Sequence, residues 1–154
     1  HLDEVFVKIN GETYYLWRAV DHEGEVLEAF VSNLRDRKAA LAFLKKIMKR
    51  FGRPKSIVTD KLPSYRAALK VIDMEMRQET GRWLNNRVEN SHLPFRRREY
   101  AMLRFRQRRS LQKFVSIHSS FHNHFNHERH LINRETFKLR RNAALAEWRQ
   151  LCAA

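Results

Sequence analysis

Along the first third of the chain, apolar and polar positions alternate with a period of two. This predicts a strand over residues 5–9, a type I′ turn at Asn10-Gly11, and a second strand over 13–20 rich in aromatic and β-branched residues. After the polar turn DHEGE, residues 26–32 continue the meander as a third strand. The period then changes to that of a helix. Asp36 reads as an N-cap for a helix over 37–50, with Ala40, Leu41, Leu44, Ile47 and Met48 on one face and Gly52 and Pro54 as its stop. The short run SIVT is expected to form a buried strand leading into Asp60, and Pro63 suits the first turn of a further helix whose Tyr65, Ala68, Leu69 and Ile72 share a face. A short strand is expected over 74–78. A helix follows from Asn85 through Glu89, which Pro94 should kink or end by removing a backbone donor. Two more helices are predicted from the apolar faces Leu111, Phe114, Val115, His118, Phe121, Phe125 and Phe137, Ala144, Leu145, Trp148, Leu151. Antiparallel strands followed by alternating helices and strands make an α/β sheet with helices on its face.

Length adds that 154 residues suit a single domain with one core. Charge changes the picture more. There are 31 Lys and Arg against 17 Asp and Glu, a net +14, which favours a polyanionic partner and makes nucleic acid the leading class. The excess is local: residues 1–60 carry 11 basic and 9 acidic side chains, whereas 82–113 carry 10 and 2. Arg82, Arg87, Arg96, Arg97, Arg98, Arg104, Arg106, Arg108, Arg109 and Lys113 make up that second stretch, a phosphate-facing surface rather than diffuse solubility charge. The lone cysteine, Cys152, excludes an internal disulfide and a thiolate zinc site and fits a reducing cytoplasm. No long apolar run suggests a membrane span. The start HLDEV has no basic leader, and the chain is expected to be a piece of a longer one.

Three carboxylates sit awkwardly for bland roles: Asp3 inside the first strand, Asp60 at the end of the fourth, and Glu89 in the arginine-rich helix. Ligands gather outside the carboxyl ends of parallel strands, where Asp60 would lie. Carboxylates meeting there suit hard divalent cations. For Asp60 alone, which precedes Lys-Leu-Pro, a helix N-cap is the competing assignment. The cluster His118, His122, His124, His127 and His130 offers an i, i+4 pair, but His118 shares an apolar face with Phe114 and Phe121 and no HExxH glutamate is present. Packing is therefore expected over zinc. Trp17, Trp83 and Trp148 read as core residues rather than base-stacking platforms, Trp83 least clearly because it adjoins Arg82 and the asparagine pair.

HLDEV, YLWRAVD, VTDK, TGRWLNNRVENSH and FHNHFNHERHL together resemble the D-D-E catalytic core of insertion-sequence transposases, nearest to the IS-six family. The resemblance runs over nearly the whole chain. It implies one catalytic domain over 1–154 with a ribonuclease H-like α/β fold: three antiparallel strands plus parallel strands, flanked by helices, with C-terminal helices. It implies that Asp3, Asp60 and Glu89 hold two Mg²⁺ ions, or Mn²⁺ in their place, for cleavage and transfer of DNA strands. Further implications are DNA contacts from Lys61, Arg87, Arg96, Arg97, Arg98, Arg104 and Arg106, and support of the Glu89 helix or carboxylate by Asn85 and Asn86. The expected partners are transposon ends and target DNA, with a homodimer or larger assembly formed on them, in the bacterial cytoplasm. The helix-turn-helix region that the family carries ahead of the catalytic core is not in this chain. The competing functions are a DNA-binding module without chemistry and a nuclease of the same fold that does not join strands.

Overall fold

The computed structural model describes residues 1–81, 84–102, 105–127 and 132–153. Its chain divides into two compact units, His1–Ser119 and Ser120–Ala154. In the first unit the strands β1 (Leu2–Ile9), β2 (Glu12–Val20), β3 (Val26–Ser32), β4 (Ile57–Thr59) and β5 (Gln78–Thr80) form one mixed sheet in the order β3-β2-β1-β4-β5. The three N-terminal strands pair antiparallel, and β4 joins β1 and β5 in parallel. This is the expected ribonuclease H-like architecture. The β1–β2 turn forms as its sequence requires: Asn10 and Gly11 both take positive φ, 51° and 87°.

The sheet is covered on both faces because its strands alternate with apolar residues on each side. Leu2, Trp17 and Ala19 pack against Ala40, Phe43, Leu44 and Ile47 of α1 (Arg37–Phe51) and against Tyr65, Ala68 and Leu69 of α2 (Pro63–Val71). Trp17 is fully buried, in edge contact with Tyr65 at 5.5 Å, and its indole N–H donates to Ser32 Oγ at 2.7 Å. Removal of an aromatic of this size from water contributes roughly 2–3 kcal/mol. The opposite face, with Val7, Ile9, Leu16, Ala29 and Val31, packs on Phe95 of α3 (Asn86–Ala101), on Phe105, and on Leu111 and Val115 of α4 (Arg108–Phe125). The expected helix cap holds: Asp36 Oδ1 accepts the Ala39 N–H at 2.8 Å. Gly52 ends α1 at φ 81°.

Two elements differ in detail from the expectation. The strand placed at 74–78 lies at Gln78–Thr80, behind a short 3-10 turn at Glu75–Arg77. Of the two outcomes expected at Pro94, a kink or an end, the end does not occur, and the helix runs on to Ala101. The proline deprives one carbonyl, that of Asn90, of its helical donor, and Asn90 is exposed, so water can replace it.

In the second unit, α5 (Arg134–Ala153) buries Ala144, and Trp148 packs edge-on to Phe121 at 5.4 Å. Leu151, assigned to the same apolar face, is 70% exposed. Two of the clustered histidines have packing partners. His118 lies on Phe114 at 5.4 Å, and a His124 ring N–H donates to the Ala144 carbonyl at 2.8 Å. Trp83 and His130 lie outside the described residues.

Candidate active site

One backbone register assembles the site. Leu2 pairs with Thr59 across the parallel β1/β4 junction, so the chain's next residues, Asp3 and Asp60, emerge side by side. One oxygen from each of Asp3, Glu4 and Asp60 lies within 4.8 Å of the others. Asp3 and Glu4 point to opposite faces of the sheet, as neighbours on a strand must, so the group is held from both sides.

Asp60 is positioned by its own loop. Its Oδ1 accepts the Leu62 N–H at 3.0 Å. The Thr59 hydroxyl donates to the Asp60 carbonyl at 2.7 Å and accepts from Gln78 Nε2 at 2.8 Å, which ties the loop to β5. The N-cap of α2 is Leu62, with no side-chain capping bond, so Asp60 is not the cap that its sequence context allowed. Burial and the charge of Asp3 push the Asp60 carboxyl above the usual carboxylate range, opposed by the Leu62 N–H and Arg35.

Glu4 is buried and meets Arg35, whose Nε donates to Glu4 Oε1 at 2.6 Å while its NH2 stands 3.6 Å from Asp60 Oδ2. Burial first, then the charge of Asp60, pushes Glu4 up to about 7 against the pull of Arg35. Its Oε2 is buried and meets no donor at full hydrogen-bond geometry, although the buried Tyr65 hydroxyl is near enough to help lower the Glu4 pKa. On the other face, the His92 ring lies with Nε2 3.1 Å from Asp3 Oδ2. Burial lowers the pKa of His92 although Asp3 opposes this. Arg18, opposite Asp3 in register and 2% exposed, donates from NH1 to the Ser91 carbonyl at 2.6 Å; burial lowers its pKa to about 10.

The group fits a hard divalent cation. Its donors are all carboxylate oxygens. Burial raises the Glu4 and Asp60 carboxyls first, and the like charge of Asp60 on Glu4 and of Asp3 on Asp60 adds to it, a repulsion that a bound cation would relieve.

Glu89 is not in that group: it is exposed, near the start of α3. Its place on the helix is nevertheless informative. Asn85, Glu89, His92 and Arg96 follow at i, i+4, i+7 and i+11, one stripe of a helix. Three of the four touch β1: Asn85 Nδ2 donates to the Leu2 carbonyl at 3.1 Å, His92 meets Asp3, and Arg96 NH2 donates to the Phe6 carbonyl at 2.6 Å. Glu89 thus sits between residues anchored at Leu2 and Asp3. Asn85 is the N-cap by position but makes no side-chain capping bond, because its amide is used on β1; Asn86 is exposed.

The expected DNA contacts divide. Lys61, Arg97, Arg98 and Arg106 are exposed. Arg96 is committed within the protein: NH1 donates to Glu99 Oε2 at 2.6 Å, NH2 is spent on Phe6, and the guanidinium lies 5.6 Å from the Phe6 ring centre. Arg104 and the Arg87 side chain lie outside the described residues. Sequence reasoning missed Glu4, Arg35, His92 and Arg18. Arg18 had a usable signal, since a two-residue turn at Asn10-Gly11 sets it opposite Asp3.

Comparison with known proteins gives the family. A family model described as a DDE domain, of the IS240 transposase type, matches residues 1–128. The transposase for the insertion sequence-like element IS431mec and that for IS257 in transposon Tn4003, both from Staphylococcus aureus, are 38% identical over 96 residues. Each match covers 59% of this chain and 43% of the relative, so the chain spans less than half the length of these relatives. An uncharacterized Yersinia pseudotuberculosis protein is 35% identical over 71 residues, 44% of this chain and 66% of its own. Among solved structures, a chain of a simian T-cell lymphotropic virus intasome is similar at TM-score 0.45 and 20% identity, over 62% of this chain and 38% of that one. With 128 of its 154 residues inside the family model, the chain belongs to the DDE transposase family.

Proposed function

We propose that residues 1–154 act as the catalytic domain of an insertion-sequence transposase that cleaves DNA strands and joins the freed 3′ ends to target DNA. The observation that carries this reading is the Leu2–Thr59 register, which brings Asp3 and Asp60 together with Glu4 within 4.8 Å. In this reading Asp3, Asp60 and Glu89 hold the divalent cations. Bound there, two Mg²⁺ ions, or Mn²⁺ in their place, supply activation of an oxygen nucleophile and charge neutralisation at the leaving oxygen.

The chain's own groups do the rest. The Leu62 N–H fixes Asp60, and Arg35 keeps part of the local negative charge balanced. Glu89 lies one turn before His92 on the stripe along β1, and in this reading it completes the set. Lys61, Arg97, Arg98 and Arg106 draw in the phosphate backbone with little base preference. The relatives are bacterial, and no helix among the described residues is long and apolar enough to cross a membrane. Assembly as a dimer or larger oligomer on paired ends belongs to the same proposal.

Glu89 lying outside the carboxylate group favours a second reading, a DNA-binding module that has lost its chemistry. Incubation of the protein with a labelled transposon-end substrate separates the two. The proposal expects Mg²⁺-dependent nicking and branched joined products, both lost in Asp60→Asn while DNA binding persists. Binding without cleavage at any Mg²⁺ or Mn²⁺ concentration sinks the catalytic reading, and cleavage without joined products reduces it to a nuclease.

A further inference from the structure

One side chain of α3 reaches the carboxylate group directly. His92 is 4% exposed, and its Nε2 lies 3.1 Å from Asp3 Oδ2. A carboxylate only accepts, so the proton in this contact belongs to Nε2. Nδ1 is buried with no partner, and a second N–H there would be a donor with nothing to meet. The ring is therefore fixed as the Nε2–H tautomer by its surroundings. Its place is also fixed. Phe95, on the next turn of α3, is 1% exposed, and the Ser91 carbonyl beside His92 is held by the buried Arg18.

We propose that His92 is a positioning residue for the reaction: its Nε2–H holds Asp3 Oδ2, leaves Oδ1 to meet the cation, and ties that orientation to α3, the helix that carries Glu89. The inference rests on the reading of Asp3 and Asp60 as cation ligands. Groups that orient a metal-binding side chain from outside typically contribute 10- to 100-fold in metal affinity. The histidine is thus the mechanical link between the two strand carboxylates and the helical one. Movement of α3 along β1 would change the aim of Asp3 as well as the position of Glu89.

Mn²⁺ affinity of the folded chain, measured by calorimetry with circular dichroism as the control for folding, tests this without any turnover. His92→Phe keeps the ring volume and removes the donor; its affinity should fall 10- to 100-fold. His92→Gln, whose amide N–H reaches the Nε2 position, should stay within a few-fold of wild type. If His92→Phe does not fold, His92→Asn serves in its place, because its amide is too short to reach Asp3, and it should bind at least 10-fold more weakly than His92→Gln. Asp60→Asn tests the underlying reading separately. Loss of binding in Asp60→Asn together with wild-type affinity in His92→Phe, or equal affinities in the Asn and Gln variants, overturns the positioning role and leaves the site intact. Mn²⁺ binding that ignores Asp60→Asn overturns the site reading itself.

Discussion

Asp3 and Asp60 owe their proximity to a single backbone pairing, Leu2 with Thr59, at the junction where β1 runs parallel to β4. Carboxylates placed this way need no long-range loop to bring them together. The cost is a concentration of like charge, and Asp60→Asn relieves it while the amide oxygen still accepts the Leu62 N–H. In EDTA the variant should be as stable as wild type or up to about 1 kcal/mol more stable, yet inactive in Mg²⁺-dependent cleavage. Thermal unfolding beside a nicking assay checks both halves; a loss of more than about 2 kcal/mol would mean that Asp60 serves the fold instead.

Glu4 should make the metal-free protein sensitive to pH. Its folded pKa of about 7 lies above the ordinary 4.5, so the folded state holds a proton that the unfolded state releases between those values. The resulting stabilisation is complete below about 4.5 and is lost as pH rises through about 7, on the order of 3 kcal/mol. Urea unfolding in EDTA at pH 5 and pH 8 should show wild type losing stability relative to Glu4→Gln as pH rises. Parallel profiles for the two proteins would contradict the assignment.

Arg35→Gln leaves the Glu4 carboxylate buried without its cation. At pH 8 this should cost about 2 kcal/mol, held below the usual range for a broken buried pair because Arg35 is 42% exposed. At pH 5, where Glu4 carries its own proton, most of the penalty should vanish. A cost that does not change with pH would show that Arg35 stabilises by packing rather than by charge.

Arg96, Arg97 and Arg98 are adjacent in sequence and differ in what holds them, so DNA binding should tell them apart. If Arg97 and Arg98 meet phosphates, each change to Ala lowers the slope of log affinity against log salt by about 0.9. Arg96→Ala should leave the slope alone and lower stability by about 1–2 kcal/mol, since its guanidinium serves Glu99 and the Phe6 carbonyl. Fluorescence anisotropy across a salt series, with unfolding in parallel, decides between these. A slope change in Arg96→Ala equal to that in Arg97→Ala would put Arg96 on the DNA.

Much of the fold was legible because local signals agreed: alternation and Asn10-Gly11 for the hairpin, Asp36 and Gly52 at the two ends of α1, and the β-branched run at β4. β5 was misplaced because Gln78, Glu79 and Thr80 carry no apolar pattern; the strand exists by pairing with β4, a tertiary fact. Whether Pro94 kinks or ends its helix could not be read, because the cost of a missing donor depends on whether water can reach the orphaned carbonyl, which sequence does not state. Within the candidate site, Asp3 and Asp60 were readable as carboxylates out of place. Glu4 escaped notice beside Asp3 because alternation sends it to the other face, where Arg35 arrives from the loop before α1. His92 looked like an ordinary helix residue until α3 was laid along β1. The same packing gives Arg96 a role that its position seven residues after Glu89 did not suggest.

In the proposed site Asp3 and Asp60 hold a cation and Glu89 completes its shell. Anomalous diffraction from crystals soaked in Mn²⁺ measures this most directly. A difference peak should be bonded to a carboxylate oxygen of Asp3 and one of Asp60, with Glu89 drawn toward it from α3. No peak between those two residues at saturating Mn²⁺, or one held elsewhere on the chain, would contradict it.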